Sequence, residues 1–466
     1  MKKKTYHIIT IGCQMNYADS ERMASALEKQ GLKRTDDKYG ADLVIVNTCG
    51  VRQSAENRIY GLIPKIKKEN PRAKIILTGC LAERKDVKRR LKEYVDEWMP
   101  INGIMNYELR IMDKMPKGNV KRESKDYLKI KPKYESKFSA FVPIGNGCDN
   151  FCSYCVVPYA RGREVYRPAK DILDEVKNLV KRGYKEIVLI AQNVNSYKSE
   201  KPPLNLPLSK GENVPLLTKE GRKGRLDFAD LLKAVNNIKG DFWLRFLTSH
   251  PKDMSLKLIK AMAASEKVCP QVYLPVQAGD DEILKKMNRH YTASKYVKLV
   301  NKVRKQLNPP NPPLLKGAIW QAPVAITTDL IVGFPGETKK QFNNSLKLFK
   351  KIKFDMAYIS EYSPRPGTAA FKLTDDVSCQ EKKNRKNQLD KILRLTALAN
   401  NKKYIGKTVR VLIESETKAG EWFGKTATGK DVKILAESSV CQTGDFINVK
   451  ITGAKEFCLA GVLMNK

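Results

Sequence analysis

Histidine is scarce in this chain: His7, His250 and His290 are the only three in 466 residues, all far apart. Acidic side chains are short too, 50 Asp and Glu against 87 Lys and Arg. Long apolar runs are missing, and none approaches the ~18 residues of a membrane-spanning helix. The start, Met1-Lys-Lys-Lys-Thr-Tyr-His-Ile-Ile-Thr-Ile11, is basic but carries only a short apolar strand and no small-residue cleavage site. No signal peptide is therefore expected. Each shortage removes a class of protein. Ten cysteines without an export signal point to metal binding in a reducing cytosol rather than to disulfides, so a cytoplasmic location is expected. The acid deficit leaves a formal charge of +37. A solvated basic surface is the plain explanation, but an excess this large fits a polyanionic partner, since Lys and Arg supply most non-specific nucleic-acid affinity by neutralising phosphates.

What the chain does have is Gly145-Asn-Gly-Cys148-Asp-Asn-Phe-Cys152-Ser-Tyr-Cys155, directly after the apolar run Phe138–Ile144. CxxxCxxC spacing lets one short loop present three thiolates to a single centre. Thiolates favour zinc or iron-sulfur clusters. A structural zinc takes four protein ligands, and no second CxxC or His pair lies nearby. The ferredoxin run C-x2-C-x2-C-x3-C does not fit either. Three thiolates on a 4Fe-4S cluster leave one iron open. The loop closely resembles that of radical S-adenosylmethionine (SAM) enzymes, with zinc and disulfides as the competing readings.

Upstream, three segments read strand, cysteine, helix. His7–Gly12 leads to Cys13 and a helix from Asn16 to Gly31; Asp42–Thr48 leads to Cys49 and a helix from Gln53 to Lys68; Lys74–Gly79 leads to Cys80 and a Lys/Arg-rich helix. Apolar strands alternating with helices imply a parallel sheet covered on both faces, and such sheets bind ligands beyond the carboxyl ends of their strands. All three cysteines fall at that edge, although 36 and 31 residues separate them. Together they could hold a second three-cysteine cluster beside helix N-termini, whose dipoles favour its negative charge.

Downstream of the cysteine loop, six strands are expected at 139–144, 186–191, 242–248, 271–275, 328–332 and 356–361. Helices at 171–182, 227–238, 255–264, 280–306 and 339–352 separate them. This is a partial (β/α) barrel with its site at the carboxyl-terminal mouth. Five strands end in polar or Gly-rich stretches: Ala191-Gln-Asn-Val-Asn-Ser-Tyr197, Leu247-Thr-Ser-His-Pro251, Leu274-Pro-Val-Gln-Ala-Gly279, Val332-Gly-Phe-Pro-Gly-Glu-Thr338 and Tyr362-Ser-Pro-Arg-Pro-Gly-Thr368. Each alone is bland, since Gly-Phe-Pro-Gly is first a turn and His250 first a packed side chain; five in succession suit a cofactor-binding rim. Pro-rich stretches near 199–224 and 308–322 read as related surface insertions. From Lys402 the pattern changes to about five short strands broken by glycine, a small closed barrel of a kind common in nucleic-acid modules. The expected architecture is thus α/β, in three domains and a linker: an N-terminal parallel α/β cluster domain (3–118), the linker (119–133), a partial (β/α)6 radical SAM core (134–401) and a C-terminal β-barrel (402–466).

In this order the features resemble the radical SAM methylthiotransferase family over nearly the whole chain, the last module being its TRAM barrel. Gly12-Cys-Gln-Met-Asn16, Asn47-Thr-Cys-Gly-Val-Arg52, Gln192–Asn195, Thr248–Pro251 and Tyr362–Thr368 resemble the branch acting on N6-dimethylallyladenosine in tRNA. Other branches act on threonylcarbamoyladenosine or on a ribosomal protein side chain. Gly50-Val51 departs from the Ser-Ile common in well-known members. The resemblance implies that Cys148, Cys152 and Cys155 hold a 4Fe-4S cluster whose open iron binds SAM, cleaved by one electron to a deoxyadenosyl radical that takes the hydrogen from adenine carbon 2. It implies that Cys13, Cys49 and Cys80 hold a second 4Fe-4S cluster from which a methylated sulfur is delivered. Tyr154, Gln277, Gly333 and Glu337 are candidate SAM contacts by position. The implied partners are a tRNA anticodon arm, an electron donor of flavodoxin or ferredoxin type and an iron-sulfur or sulfur supplier, with no membrane. A monomer is the family default.

Overall fold

The computed structural model describes residues 4–51, 53–103, 127–199, 225–308, 322–417, 420–435 and 441–464. Most of the expected linker, nearly all of both Pro-rich insertions and Arg52 of the Asn47–Arg52 motif lie outside the described residues.

The N-terminal unit is a five-stranded parallel sheet. Its strands are β1 (Thr5–Ile11), β2 (Lys33–Arg34), β3 (Leu43–Thr48), β4 (Lys74–Gly79) and β5 (Glu97–Met99), in the order β2-β1-β3-β4-β5. Helices α1 (Gln14–Lys29), α2 (Gln53–Glu69) and α3 (Lys85–Leu91) connect them. Strand β3 is buried at every position, as a central strand covered on both faces must be. The sequence pattern showed three of these strands; the two edge strands escaped it because Lys33-Arg34 is too short and polar, and Glu97–Met99 too short, to show a period.

Next come β6 (Ser139–Pro143), the short antiparallel pair β7 (Gly145–Asn146) and β8 (Val165–Tyr166), which brackets the cysteine loop, β9 (Glu186–Ile190), a second short pair β10 (Lys198–Ser199) and β11 (Leu226–Asp227), β12 (Trp243–Phe246), β13 (Gln271–Tyr273), β14 (Ala325–Val332) and β15 (Met356–Glu361). Strands β6, β9 and β12 pair in parallel, as do β13, β14 and β15. A parallel bridge between Leu244 and Val268 joins the two sheets, giving six strands in sequence order, the expected partial barrel. Between them lie α4 (Val157–Arg161), α5 (Ala169–Lys181), α6 (Phe228–Asn236), α7 (Leu256–Ala263), α8 (Asp281–Lys286), α9 (Ala293–Leu307), α10 (Lys339–Ile352) and α11 (Cys379–Lys402). Side chains of Asp227, Ser255, Asp280, Thr292, Thr338 and Ser378 cap six of these helices, each satisfying a backbone N–H that the first turn leaves free.

One expected helix is corrected. The stretch 280–306 is two helices, α8 and α9, broken at Met287–Thr292. Asn288 sits at φ +56°, a left-handed conformation that asparagine tolerates better than most residues, and Thr292 caps the new start. The buried apolar face shifts phase at the break, from Ile283, Met287 and Tyr291 to Tyr296, Val300 and Val303.

Strand alternation separates two faces. Ala140, Val142, Ile187 and Leu189 join the main core under the helices, whereas Val188 and Ile190, with Phe141 against them, meet Met15 and Ala18 of α1. The first helix of the N-terminal unit therefore packs on the inner face of the barrel sheet. The C-terminal strands β16 (Thr408–Glu416), β17 (Trp422–Thr426), β18 (Asp431–Leu435), β19 (Phe446–Ala454) and β20 (Cys458–Leu463) form a closed barrel, β16-β17-β18-β20-β19. It packs at the strands' amino ends: Arg245 donates to the carbonyls of Thr426 and Ala427 at 2.8 and 2.7 Å, and Lys430 pairs with Asp355 at 2.8 Å. The opposite, carboxyl end is left to the cysteines.

Candidate active site

Each N-terminal thiol begins where a strand stops. In register, Ile11 pairs with Thr48 and Thr48 with Gly79, so Cys13, Cys49 and Cys80 lie one or two residues past three adjacent strand ends. The edge is fixed by buried amides. Asn16 and Asn47 are both 0% exposed. Asn16 Nδ2 donates to Asn47 Oδ1 at 2.9 Å, and Asn47 Nδ2 donates to the Asn16 carbonyl at 2.8 Å. Asn16 Oδ1 accepts the Cys13 backbone N–H at 3.1 Å and lies 3.4 Å from its Sγ. Glycine is required at two places here. A Cβ on Gly12 would stand 2.1 Å from Asn16 Oδ1, and Gly79, at φ +87°, would put one 2.3 Å from the Thr48 carbonyl.

The CxxxCxxC loop meets this edge. A Cβ on Gly50 would lie 3.1 Å from the Cys80 Cβ and 3.2 Å from Val156, so the chain after Cys49 passes between Cys80 and the residue following Cys155. The Cys155 thiol is pushed well up by burial first, then by the neighbouring Cys152, Cys148 and Cys80. Cys148 is pushed up to about 11, again chiefly by burial, and Cys13 is raised by the same cause. Free thiols in such a site are held protonated; a metal centre would take them as thiolates. None of the ten cysteines, all of them among the described residues, is in a disulfide, and among the described residues no three Cys, His, Asp or Glu converge tightly enough to hold a single ion. A multi-iron cluster instead asks for thiolates spread around it.

Two buried guanidiniums flank the thiols. Arg161, on α4, pairs with Asp19 of α1 at 2.6 Å and donates to Asn146 Oδ1 at 3.1 Å; Asp19, Cys80 and Cys13 all favour its charged form. Arg289 donates to Cys152 Sγ at 3.4 Å. On the far side Arg365, in the Tyr362–Thr368 stretch, reaches Gln53 Oε1 at 2.5 Å, Glu56 Oε2 at 3.1 Å and the Val51 carbonyl at 3.1 Å. These contacts fasten the sixth strand's ending to the turn after Cys49. Motif resemblance had touched Asn16, Asn47 and Arg365 without a role; Arg161 and Arg289 had no sequence signal.

The candidate SAM contacts divide into two pairs. Tyr154 packs against the main core beside Arg289, Cys152 and Cys155. Gln277 is buried at φ +69°, a left-handed conformation that a non-glycine residue holds only where its surroundings impose it. Gly333 and Glu337 are engaged with each other. The Gly333 N–H donates to Glu337 Oε2 at 2.6 Å, and Arg385 donates to the same oxygen at 2.8 Å. Burial still raises the Glu337 carboxyl, and its Oε1 has no hydrogen-bond partner. The two polar strand endings are interlocked: Asn195 donates to the His250 carbonyl and accepts its N–H, both at 2.9 Å. His250 is pushed down to about 2 by burial, then by Arg289 and Lys252; the ring is neutral, and its Nδ1 accepts the Lys252 N–H at 3.2 Å. Buried acceptors on Gln192, Asn193 and Ser249 lack partners. Orphaned polar atoms at a barrel mouth fit a polar cofactor such as SAM, which would satisfy them.

The chain matches three family models in order: the uncharacterized protein family UPF0004 over residues 5–99, the radical SAM superfamily over 142–349 and the TRAM domain over 402–464. A radical SAM methyltransferase from Kitasatospora setae, solved with cobalamin and a 4Fe-4S cluster bound, shares the fold at a TM-score of 0.51 and 14% identity, covering 79% of this chain and 77% of that one. Fold and site thus define a radical SAM enzyme with an N-terminal cysteine-bearing domain and a terminal TRAM barrel. The tRNA-2-methylthio-N6-dimethylallyladenosine synthase of Clostridium botulinum is 39% identical over 98% of this chain and 96% of its own length. That of Clostridium novyi is 40% identical over 99% and 97%. The chain belongs to the family of tRNA-2-methylthio-N6-dimethylallyladenosine synthases.

Proposed function

We propose that the protein adds a methylthio group to carbon 2 of N6-dimethylallyladenosine next to the anticodon of tRNA. The observation that carries this reading is the meeting of two thiol triads, with Gly50 wedged between Cys80 and Val156. One triad suits a radical source, the other a sulfur source, and the reaction needs both at one substrate atom. Radical SAM enzymes use a 4Fe-4S cluster and SAM to supply a radical that can take an unactivated hydrogen, chemistry no side chain offers unaided.

In this reading Cys148, Cys152 and Cys155 hold that cluster, and Cys13, Cys49 and Cys80 a second one. Tyr154 and Gln277 line the SAM site directly, whereas Gly333 and Glu337 shape it by locking the turn between them. The buried Asn16–Asn47 pair keeps Cys13 in register with Cys49, and Arg161 joins the two triads across Asp19. Oriented groups matter here because a misplacement of about 1 Å can cost 100-fold in rate. The +37 charge and the TRAM barrel grip the anticodon arm, whose loop bases can be splayed into a protein site. No helix among the described residues is long and apolar enough to cross a membrane. A cytoplasmic monomer served by a flavodoxin- or ferredoxin-type donor and a separate sulfur supplier completes the proposal, with domains at 3–118, 134–401 and 402–466.

The test is mass spectrometry of tRNA nucleosides from a host lacking its own enzyme, with and without this gene. A 2-methylthio shift on dimethylallyladenosine is expected. A shift on threonylcarbamoyladenosine would move the substrate and keep the chemistry. No shifted nucleoside, with both clusters present, would turn the search to a ribosomal protein.

A further inference from the structure

Arg289 is 6% exposed, yet among the described residues no carboxylate pairs with it. Its Nε donates to Tyr291 Oη at 2.9 Å, its Nη2 to the Pro275 carbonyl at 2.9 Å and its Nη1 to Cys152 Sγ at 3.4 Å. A buried guanidinium with two neutral oxygens, one sulfur and no carboxylate around it is expensive, so the place is built for an anion that the thiols themselves bring. The break between α8 and α9 puts it there. Ser153 N–H and Oγ donate to the carbonyls of Met287 and Lys286 at 3.1 and 2.8 Å. Asn288 Nδ2 donates to the Phe151 carbonyl at 2.9 Å. The cysteine loop is stapled, residue by residue, onto Lys286–Arg289.

We infer that Arg289 is a positioning residue that raises the reduction potential of the centre held by Cys148, Cys152 and Cys155, through its charge and its N–H···S bond to Cys152. Hydrogen bonds to sulfur and burial are established levers on cluster potentials. The couple is one-electron: a low-potential carrier gives one electron to the centre, no bond is made or broken, and Arg289 stays protonated in both states. The reduced state carries one more negative charge, and the guanidinium favours it.

The inference rests on the radical SAM reading of this loop, and full-length protein with reconstituted clusters tests the two separately. Wild type, Arg289→Lys and Arg289→Met are titrated with dithionite. The spectroscopic signal that changes on adding SAM identifies this centre. At the wild-type midpoint the ratio of reduced to oxidised centre in Arg289→Met should fall at least tenfold, equivalent to 59 mV for a one-electron couple, with Arg289→Lys in between. Loading of the Lys variant but not the Met variant counts against the inference, since charge is then what holds the centre rather than what tunes it. A fully loaded Met variant with an unchanged midpoint overturns it. So does failure of both variants to load while they melt as wild type does, because a tuning residue leaves the centre in place. Wild type that binds no iron at this loop would sink the functional reading itself, and this inference with it.

Discussion

The two thiol triads solve one problem in opposite ways. Cys148, Cys152 and Cys155 lie within eight consecutive residues, and the loop alone brings them together. Cys13, Cys49 and Cys80 are scattered over 68 residues, and only the register of β1, β3 and β4 makes them neighbours. The first triad therefore depends on local geometry and on the staple at Lys286–Arg289. The second depends on a folded sheet, its buried Asn16–Asn47 amides and the two glycines whose Cβ would collide. A local triad can survive damage to distant parts of the fold. A topological one cannot.

That contrast is sharpest in the cysteines themselves. Cys148→Ala should abolish both SAM cleavage and product, whereas Cys49→Ala should keep deoxyadenosine formation and lose the methylthio nucleoside. Each variant should lose about half of the iron if each triad holds one cluster. Chromatography for deoxyadenosine, nucleoside mass spectrometry and iron analysis read all three quantities. SAM cleavage that persists in Cys148→Ala would contradict the division of labour, as would its loss in Cys49→Ala with iron still at the first triad.

The link between the triads should break at the next smaller scale. Arg161 and Asp19 are 3% and 1% exposed, so Asp19→Asn would leave a buried guanidinium without its counter-charge. Breaking such a pair costs about 3–5 kcal/mol. Denaturant melts should show that loss, and the second triad should lose iron before the first. A melt within about 1 kcal/mol of wild type would mean that the thiols of Cys13 and Cys80, not Asp19, balance Arg161.

The same contrast explains what could be read without coordinates. CxxxCxxC is legible because its geometry is local, and the strand-end cysteines are legible because an apolar strand precedes each. The six barrel strands and the small terminal barrel were likewise visible as patterns of apolar alternation. The break at Met287–Thr292 is marked by a shift in apolar phase, from Met287 and Tyr291 to Tyr296 and Val300, but periodicity cannot carry a contact between residues far apart in sequence. Arg161 meets Asp19 across 142 residues, Arg365 meets Gln53 across 312 and Arg245 meets Thr426 across 181. Each is an arginine, and in a chain with 87 basic residues no single one stands out. Glu337 is half accounted for: its place in a Gly-rich strand ending suggests a cofactor contact, and in the fold Oε2 is taken by the Gly333 N–H and Arg385 while Oε1 is buried without a partner.

The smallest effect expected concerns the seam between the N-terminal sheet and the chain entering the barrel. Glu21 of α1 accepts the Glu135 N–H at 3.0 Å, and its own carbonyl accepts that of Lys133 at 3.0 Å. Burial raises its carboxyl from 4.5 to about 7, although the Glu135 N–H and Arg22 pull the other way. The folded chain thus holds this proton more tightly than the unfolded one. The stability from this source is complete below pH 4.5 and is lost as pH climbs to about 7. The difference corresponds to about 3 kcal/mol. Glu21→Gln keeps an acceptor for the Glu135 N–H and has no proton to lose. Its stability relative to wild type should therefore rise steadily between pH 4.5 and 7.5, while groups common to both proteins cancel. Parallel stability curves for the two proteins would show that Glu21 is solvated at this seam. The seam would then be looser than the triads that it helps to align.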